Sequence, residues 1–287
     1  MNTTLLVVLA IVLAPIIGGL LSGIDRKITA RVQGRFGPPI LQPFYDVFKL
    51  LGKERFFTNK VQIVYVITYL FFAMLSFVLF VLGQDLIAII FVLTVGGGAV
   101  VMGALSVRSP YSQIGGQREI LQMLAYDPLL LIAVVGMYVV TGSFKVSEIA
   151  AWQMTNATPL LYVLPLVFIV LVEVLTIKMR KSPFDISACH HGHQEIVRGV
   201  HTEFSGPYLA LIEIAHWYEL MLVLGFVGLF FASNLYIAVA LIVAMFILEI
   251  IIDNTTARLT WRWMLKSAWG FSRRSRIPYG TPSTQTG

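Results

Sequence analysis

Six ionisable residues fall inside stretches of sequence that are otherwise almost free of charge: Asp127, Glu173, Glu213, His216, Glu219 and Glu249. Glu213, His216 and Glu219 follow one another at i, i+3 and i+6, so on a helix each neighbour is close enough to pass a proton directly or through one water. Asp127 precedes Pro128. A proline there removes a helical N–H, kinks the segment and frees a carbonyl beside the carboxylate. Charges at membrane depth are costly and face a bundle interior or a water-filled path, so each of the six is a candidate for ion movement.

The elements that must position them follow from composition. With 57% hydrophobic and 13% charged residues, the chain lies far from the usual soluble range, in which about a quarter of residues are charged. A spanning helix needs about 20 apolar residues at about 1.5 Å each. Seven stretches qualify: 4–21, 62–82, 86–106, 118–141, 160–177, 208–231 and 235–252. The expected fold is all-α: a polytopic membrane protein with about seven transmembrane helices and a cytoplasmic-side amphipathic helix after the first span. Residues 1–271 form one transmembrane domain and 272–287 a flexible polar tail. The first stretch lacks a basic leader and a small-residue cleavage site, so it reads as a retained helix rather than a signal peptide. The single Cys189 excludes an internal disulfide framework.

Charge placement sets the orientation. Of the 21 Lys and Arg, 20 fall in the connections 22–61, 107–117 with Arg118 at its edge, 178–207, and the stretch after 252, whereas Lys145 stands alone on the other side. The basic side is cytoplasmic by the positive-inside rule, which puts the N-terminus outside and the C-terminus inside. The net charge of +6 is thereby explained by topology, and nucleic acid is not an expected partner. In this frame Glu173 and Glu249 lie about one turn inside the cytoplasmic end of their helices, Glu213 about 8 Å, His216 about 12 Å, Asp127 about 13 Å and Glu219 about 16 Å. The outer half of every span carries no acid or His, so the residues make a half-channel from the cytoplasm that must continue sideways into a partner. The bland alternative is a set of paired helix-packing contacts.

Between the first two spans lies a polar island, RVQGRFGPPILQPFYDVFKLLGKE, residues 31–54. Gly34, Gly37, Pro38 and Pro39 do not propagate a helix, which predicts a loop carrying Arg31 and Arg35. A helix restarts near Gln42 with Pro43 in its first turn. Phe44, Val47, Phe48 and Leu51 share one face, Asp46, Lys49, Lys53 and Glu54 the other, and Leu50 is the exception. That pattern fits an interfacial helix on the cytoplasmic leaflet. A second one is expected where Trp261, Trp263 and Trp269 interleave with Arg258, Arg262 and Lys266. Gly96, Gly97, Gly98 and Gly103 read as close helix packing rather than a gate. Cys189, His190, His191 and His193 are zinc-ligand types, but they are crowded within five positions and only His201 could add a distant ligand. A partner-facing loop is the better reading, with no metal assigned.

The island, the segment SPYSQIGGQREILQMLAYDP (109–128) and the segment KSPFDISACHHGHQEIVRGVHTEFSGPYLALIEIAHW (181–217) together resemble the cytoplasmic segments of one family. It comprises the proton-channel subunit of respiratory complex I and its relatives in energy-converting [NiFe] hydrogenases. The likeness runs from the first span to about Trp269, and SPFDIS followed by HGHQE most resembles the Ech-type hydrogenase membrane subunit. The resemblance implies a subunit with no cofactor of its own. A [NiFe] large subunit and iron-sulfur small and ferredoxin-like subunits with [4Fe-4S] clusters would dock on the cytoplasmic face, with reduced ferredoxin as donor. An antiporter-like membrane subunit would carry H⁺ or Na⁺ across a prokaryotic cell membrane. By motif, Arg31, Gln33, Arg35, Asp46, Lys49, Asp185, His193, Glu195 and Glu203 would face the docked module.

Departures from the complex I pattern sharpen the expectation. A glutamate run after Pro-Phe-Asp is replaced by Ile186 to Glu195, His216 stands for a glutamate, and Lys178 for another. An eighth span is missing. These favour a hydrogenase, with a quinone-site subunit of complex I type as the alternative and a stand-alone ion transporter behind it. The sequence has no nucleophile triad, phosphate loop or cluster-binding cysteine set, so the chain cannot perform redox chemistry alone.

Overall fold

The computed structural model describes residues 3–56, 58–156, 158–184, 187–188 and 198–269. Eleven α-helices follow in order: α1 Thr3–Val32, α2 Gln42–Leu51, α3 Val61–Val81, α4 Leu86–Leu105, α5 Pro110–Thr141, α6 Val146–Asn156, α7 Leu160–Val163, α8 Pro165–Lys178, α9 Gly206–Leu229, α10 Leu235–Thr255 and α11 Trp261–Trp269. A 3-10 turn, Gly199–His201, precedes α9. Among the described residues there is no strand, only an isolated bridge between Asp85 and Lys145.

Six helices are long and apolar enough to cross a membrane: α1, α3, α4, α5, α9 and α10. The stretch expected as a further span, 160–177, is broken. Leu164 leaves the helical region at φ −125°, ψ 54°, and Pro165 opens α8. Proline has no N–H and its ring clashes with the preceding turn, so the helix cannot run through it. The resulting 14-residue α8 reaches about 21 Å, short of the about 30 Å hydrocarbon layer. The two pieces nevertheless run antiparallel to α9. Leu161 N–H donates to Phe230 O just past the end of α9, whereas Lys178 and Arg180 reach Glu219 and His216 in its interior.

Two helices outrun their expected limits. α1 continues for 30 residues to Val32, about 45 Å, so its last turns project beyond the layer and Arg31 is helical rather than on a loop. α5 starts at Pro110, suited to a first turn, and places Arg118 and Glu119 inside the helix. It ends on Gly142 at φ 75°, the left-handed stop that favours glycine.

α9 is the hub, packed against α1, α2, α3 and α10. Small residues let α1 come close. A Cβ on Gly18 would sit 2.8 Å from Trp217, and one on Gly23 would sit 1.8 Å from the Ile40 carbonyl. α2 lies across this seam and turns differently from its sequence pattern. Pro43 and Val47 are buried, Phe44 tilts onto Trp217 at 5.2 Å, and Leu50, the apparent exception, joins the core. Phe48 and Tyr45 are left 68% and 56% exposed. The helix therefore has one apolar face on α9 and another turned outward. Of the glycines in α4, Gly96, Gly97 and Gly103 pack closely on neighbouring side chains while Gly98 meets nothing within 4 Å. α11 packs on α5 through buried Met264, with Arg262 and Lys266 each 5.3 Å from the centroid of a tryptophan ring.

Candidate functional site

A cavity of about 490 Å³ opens between α1, the loop before α2, the end of α8 and the first half of α9. Glu213, His216 and Glu219 all line it, as the i, i+3, i+6 spacing requires of one helical face. Asp25 and Arg26 come from α1, Arg35 from the loop, Asp46 from α2, and Lys178, Arg180 and Lys181 from the end of α8 and the residues after it. Arg198 and Asp253 complete its charged lining, so cations and carboxylates interleave. A smaller pocket of about 260 Å³ shares Arg26, Asp46, Glu213 and Trp217 and adds Lys49.

Along the cavity wall and behind it, the side chains join into one chain of contacts. Arg180 Nη2 donates to Glu119 Oε1 at 3.1 Å, and Ser187 Oγ donates to Glu119 Oε2. Arg180 Nη1 lies 2.9 Å from His216 Nε2 and 3.1 Å from His201 Nε2. A guanidinium can only donate, so both imidazole Nε2 atoms are acceptors here and a neutral ring keeps its proton on Nδ1. His216 Nδ1–H then donates to Tyr69 Oη at 2.7 Å, with Glu219 Oε2 at 3.4 Å. Lys178 Nζ donates to Glu219 Oε1 and to Tyr126 Oη, each at 3.2 Å. Asp127, next to Tyr126 on α5, is the next carboxylate and lies within electrostatic reach of Lys178. Two cations face two carboxylates across α5 and α9, which satisfies the rule that buried charges are paired.

Arg180 sits in a costly backbone conformation. Its φ of 52° makes it the non-glycine residue with positive φ among those described. Such a residue costs on the order of 1–3 kcal/mol and persists where its surroundings hold it. Here three partners do. Burial disfavours the guanidinium charge, but Glu119 in contact and the carboxylate and phenol groups around it outweigh that, and its pKa is raised. Lys181, next in sequence, donates to Asp25 of α1 at 2.8 Å, and Ser182 N–H donates to Asp253 of α10 at 2.9 Å. The segment after α8 is thus fastened to four helices, α1, α5, α9 and α10.

The other candidates spread more widely. Glu249 is fully buried, its Oε1 accepting from Thr176 at 3.0 Å and its Oε2 without a hydrogen-bond partner. Glu173 Oε1 is also buried without a hydrogen-bond partner. Neither lines the cavity. Of the docking candidates, Arg31 stands 5.2 Å from the ring centroid of Phe36, which is 84% exposed. Arg35 Nη2 donates to Gln33 Oε1 at 2.6 Å, and Gln33 Nε2 donates to Asn254 of α10 at 3.1 Å. Asp46 pairs with Arg26 at 2.7 Å, Lys49 is exposed, and Glu203 accepts from Thr58 at 3.4 Å. Asp185, His193 and Glu195 lie outside the described residues, as do Cys189, His190, His191 and the tail 272–287.

Sequence reasoning missed Glu119, Arg180, Tyr69, Tyr126 and the Lys181–Asp25 pair. Arg180 and Lys181 counted there only as topology charges, and Glu119 fell at the edge of a span set too short. The usable signal was their position: Lys178, Arg180 and Lys181 directly end an apolar stretch, where a helix terminus turns them back onto its neighbours.

The sequence and the helical assembly both match known proteins. The family model described as NADH dehydrogenase matches residues 4–274. The chain belongs to this family. Curated relatives include an NADH-quinone oxidoreductase subunit of Carboxydothermus hydrogenoformans, 28% identical over 69% of this chain and 61% of the relative. The corresponding protein of Dehalococcoides mccartyi strain CBDB1 is 29% identical over 70% and 60%. The chain therefore spans about three fifths of the length of these relatives. A chain in the structure of the membrane-bound sulfane sulfur reductase, described as an archaeal respiratory membrane complex, superposes with a TM-score of 0.83 at 28% identity. The match covers 94% of this chain and 95% of that one.

Proposed function

We propose that this chain is the membrane subunit of an Ech-type energy-converting [NiFe] hydrogenase. It joins ferredoxin-dependent proton reduction on a docked redox module to movement of H⁺ or Na⁺ through the membrane. The observation that carries the reading is the charge chain from Glu119 through Arg180, His216, Glu219 and Lys178 to Asp127. It runs from the loop side of the bundle to mid-membrane depth, and at Lys178 it departs from the complex I pattern. The near end-to-end match to a subunit of a respiratory complex other than an NADH-quinone oxidoreductase supports the same direction.

In this reading Arg31, Gln33, Arg35, Asp46, Lys49, Asp185, His193, Glu195 and Glu203 meet the docked module. The [NiFe] centre and [4Fe-4S] clusters belong to that module, and this chain supplies no ligand for them. A change of charge in the module alters the field in the cavity, and the Arg180 and Lys178 pairs carry it inward. Glu213, His216 and Glu219 are the entry, Asp127 the inner station. Glu173 and Glu249, with buried oxygens lacking hydrogen-bond partners, are further ion-path candidates inside the bundle. The N-terminus is outside and the C-terminus cytoplasmic, with the broken α7–α8 segment completing a seventh crossing.

Copurification of the native assembly tests this. Nickel in the assembly and hydrogen evolved from reduced ferredoxin are expected; absence of both would refute the hydrogenase assignment. The curated relatives and the roomy cavity favour a second reading, a quinone-site subunit of complex I type. That predicts copurifying nicotinamide-oxidising modules and sensitivity to quinone-site inhibitors.

A further inference from the structure

Lys178 occupies a position built for a cation. Its side chain is 7% exposed, and its ammonium has Glu219 Oε1 and Tyr126 Oη each at 3.2 Å. It stands 4.7 Å from the centroid of the Tyr126 ring, with Asp127 in electrostatic reach from the same helix. Oxygen donors from α9 and α5 and an aromatic face are what a dehydrated monovalent cation would need at this depth.

We infer that Lys178 is a tethered occupant of this cation position and makes the path through this chain selective for protons by denying Na⁺ its coordination shell. The inference deepens the proposed function and rests on its reading of Glu219 as a path residue. A sodium ion entering the buried half of the path must exchange water for protein oxygens, and the nearest carboxylate is Glu219. With the ammonium already donating to that carboxylate and to Tyr126, a second cation meets both a lost ligand set and a like charge in a poorly screened interior. A proton has no such requirement. It adds to a carboxylate or a water, and, once Arg180 releases His216 Nε2, it moves by exchange along the hydrogen bonds joining Glu219, His216 and Tyr69. The lysine stem is flexible and its three donors are rotatable, so the charge follows Glu219 or Asp127 as either changes state without leaving the site.

The readout is thermal unfolding of the purified assembly in NaCl against matched choline chloride, which uses no hydrogen chemistry and stands whether or not nickel is found. Lys178→Ala is expected to gain a Na⁺-specific upward shift that grows with the logarithm of Na⁺ concentration, relative to the native chain. Adding Glu219→Gln to it should abolish that gain, and Lys178→Arg should show none. Assembled Lys178→Ala without a Na⁺-specific gain would overturn the inference. If Lys178→Ala fails to assemble, Glu219→Gln beside the native lysine decides. An unchanged Na⁺ response supports the tethered occupant, and loss of an existing Na⁺ response means that sodium already binds there.

Discussion

Arg180 is the residue on which the buried network turns. It faces Glu119 with side-chain exposures of 10% and 7%, and it also fixes the acceptor atoms of His201 and His216. Removing one member of such a pair leaves an uncompensated buried charge, so Arg180→Met is expected to destabilise the folded chain by about 3–5 kcal/mol. Glu119→Gln added to it should recover part of that loss, because the stranded carboxylate is then gone. Thermal unfolding of the purified assembly carrying each variant measures both, and strictly additive losses would show that the two side chains are not coupled. The arrangement also qualifies the role of His216. While Arg180 donates to its Nε2, the ring cannot take a second proton there, so relay through His216 requires Arg180 to swing away first. The i, i+3, i+6 spacing placed Glu213, His216 and Glu219 on one face, and all three line the cavity. It could not reveal Arg180 or Glu119, because their pairing joins segments 61 residues apart and depends on a left-handed backbone at Arg180.

At the scale of elements, length and hydropathy made six of the spans legible, and what they missed were the ends and the break. α1 and α5 run longer than their apolar stretches because helix propagation depends on backbone continuity and not on apolar character, so Arg31 is helical and Glu119 lies well inside α5 and not at its edge. The break at Leu164 follows from Pro165, a signal that window hydropathy averages away. The face of α2 was misjudged for a related reason. An amphipathic wheel assumes one apolar side, whereas this helix lies between α9 and the outside and has two. The α1–α2 seam gives a direct test. Gly23→Ala places a Cβ 1.8 Å from the Ile40 carbonyl, where backbone must shift, and overpacking of this kind costs about 1–3 kcal/mol. Gly98→Ala, with nothing within 4 Å, should be neutral or slightly stabilising. Equal stability of the two variants in thermal unfolding would mean that the seam is not closely packed.

For the whole molecule, the fold supplies one outward surface and one buried line of paired charges. The outward surface combines exposed Phe36, Tyr45 and Phe48 with Arg31, Arg35 and Lys49. The inner route begins at the cavity and reaches Asp127 through paired charges on α5, α9 and the end of α8. Family membership was legible from the three motif segments, and the family model matches residues 4–274. The hydrogenase assignment and the division of labour with a partner rest on chemistry carried by other subunits, which is why a single sequence reaches the family and not the driver. The decisive measurement is made on inverted membrane vesicles bearing the whole assembly, with hydrogen evolution from reduced ferredoxin and acidification of the lumen followed together. Glu219→Gln strands the buried Lys178 ammonium and is expected to lower the yield of assembly; in the assembled fraction it should lower acidification per hydrogen evolved at least about tenfold, a loss equivalent to about 1.4 kcal/mol or more in coupling. Unchanged acidification per hydrogen in that variant would contradict an ion path through this chain.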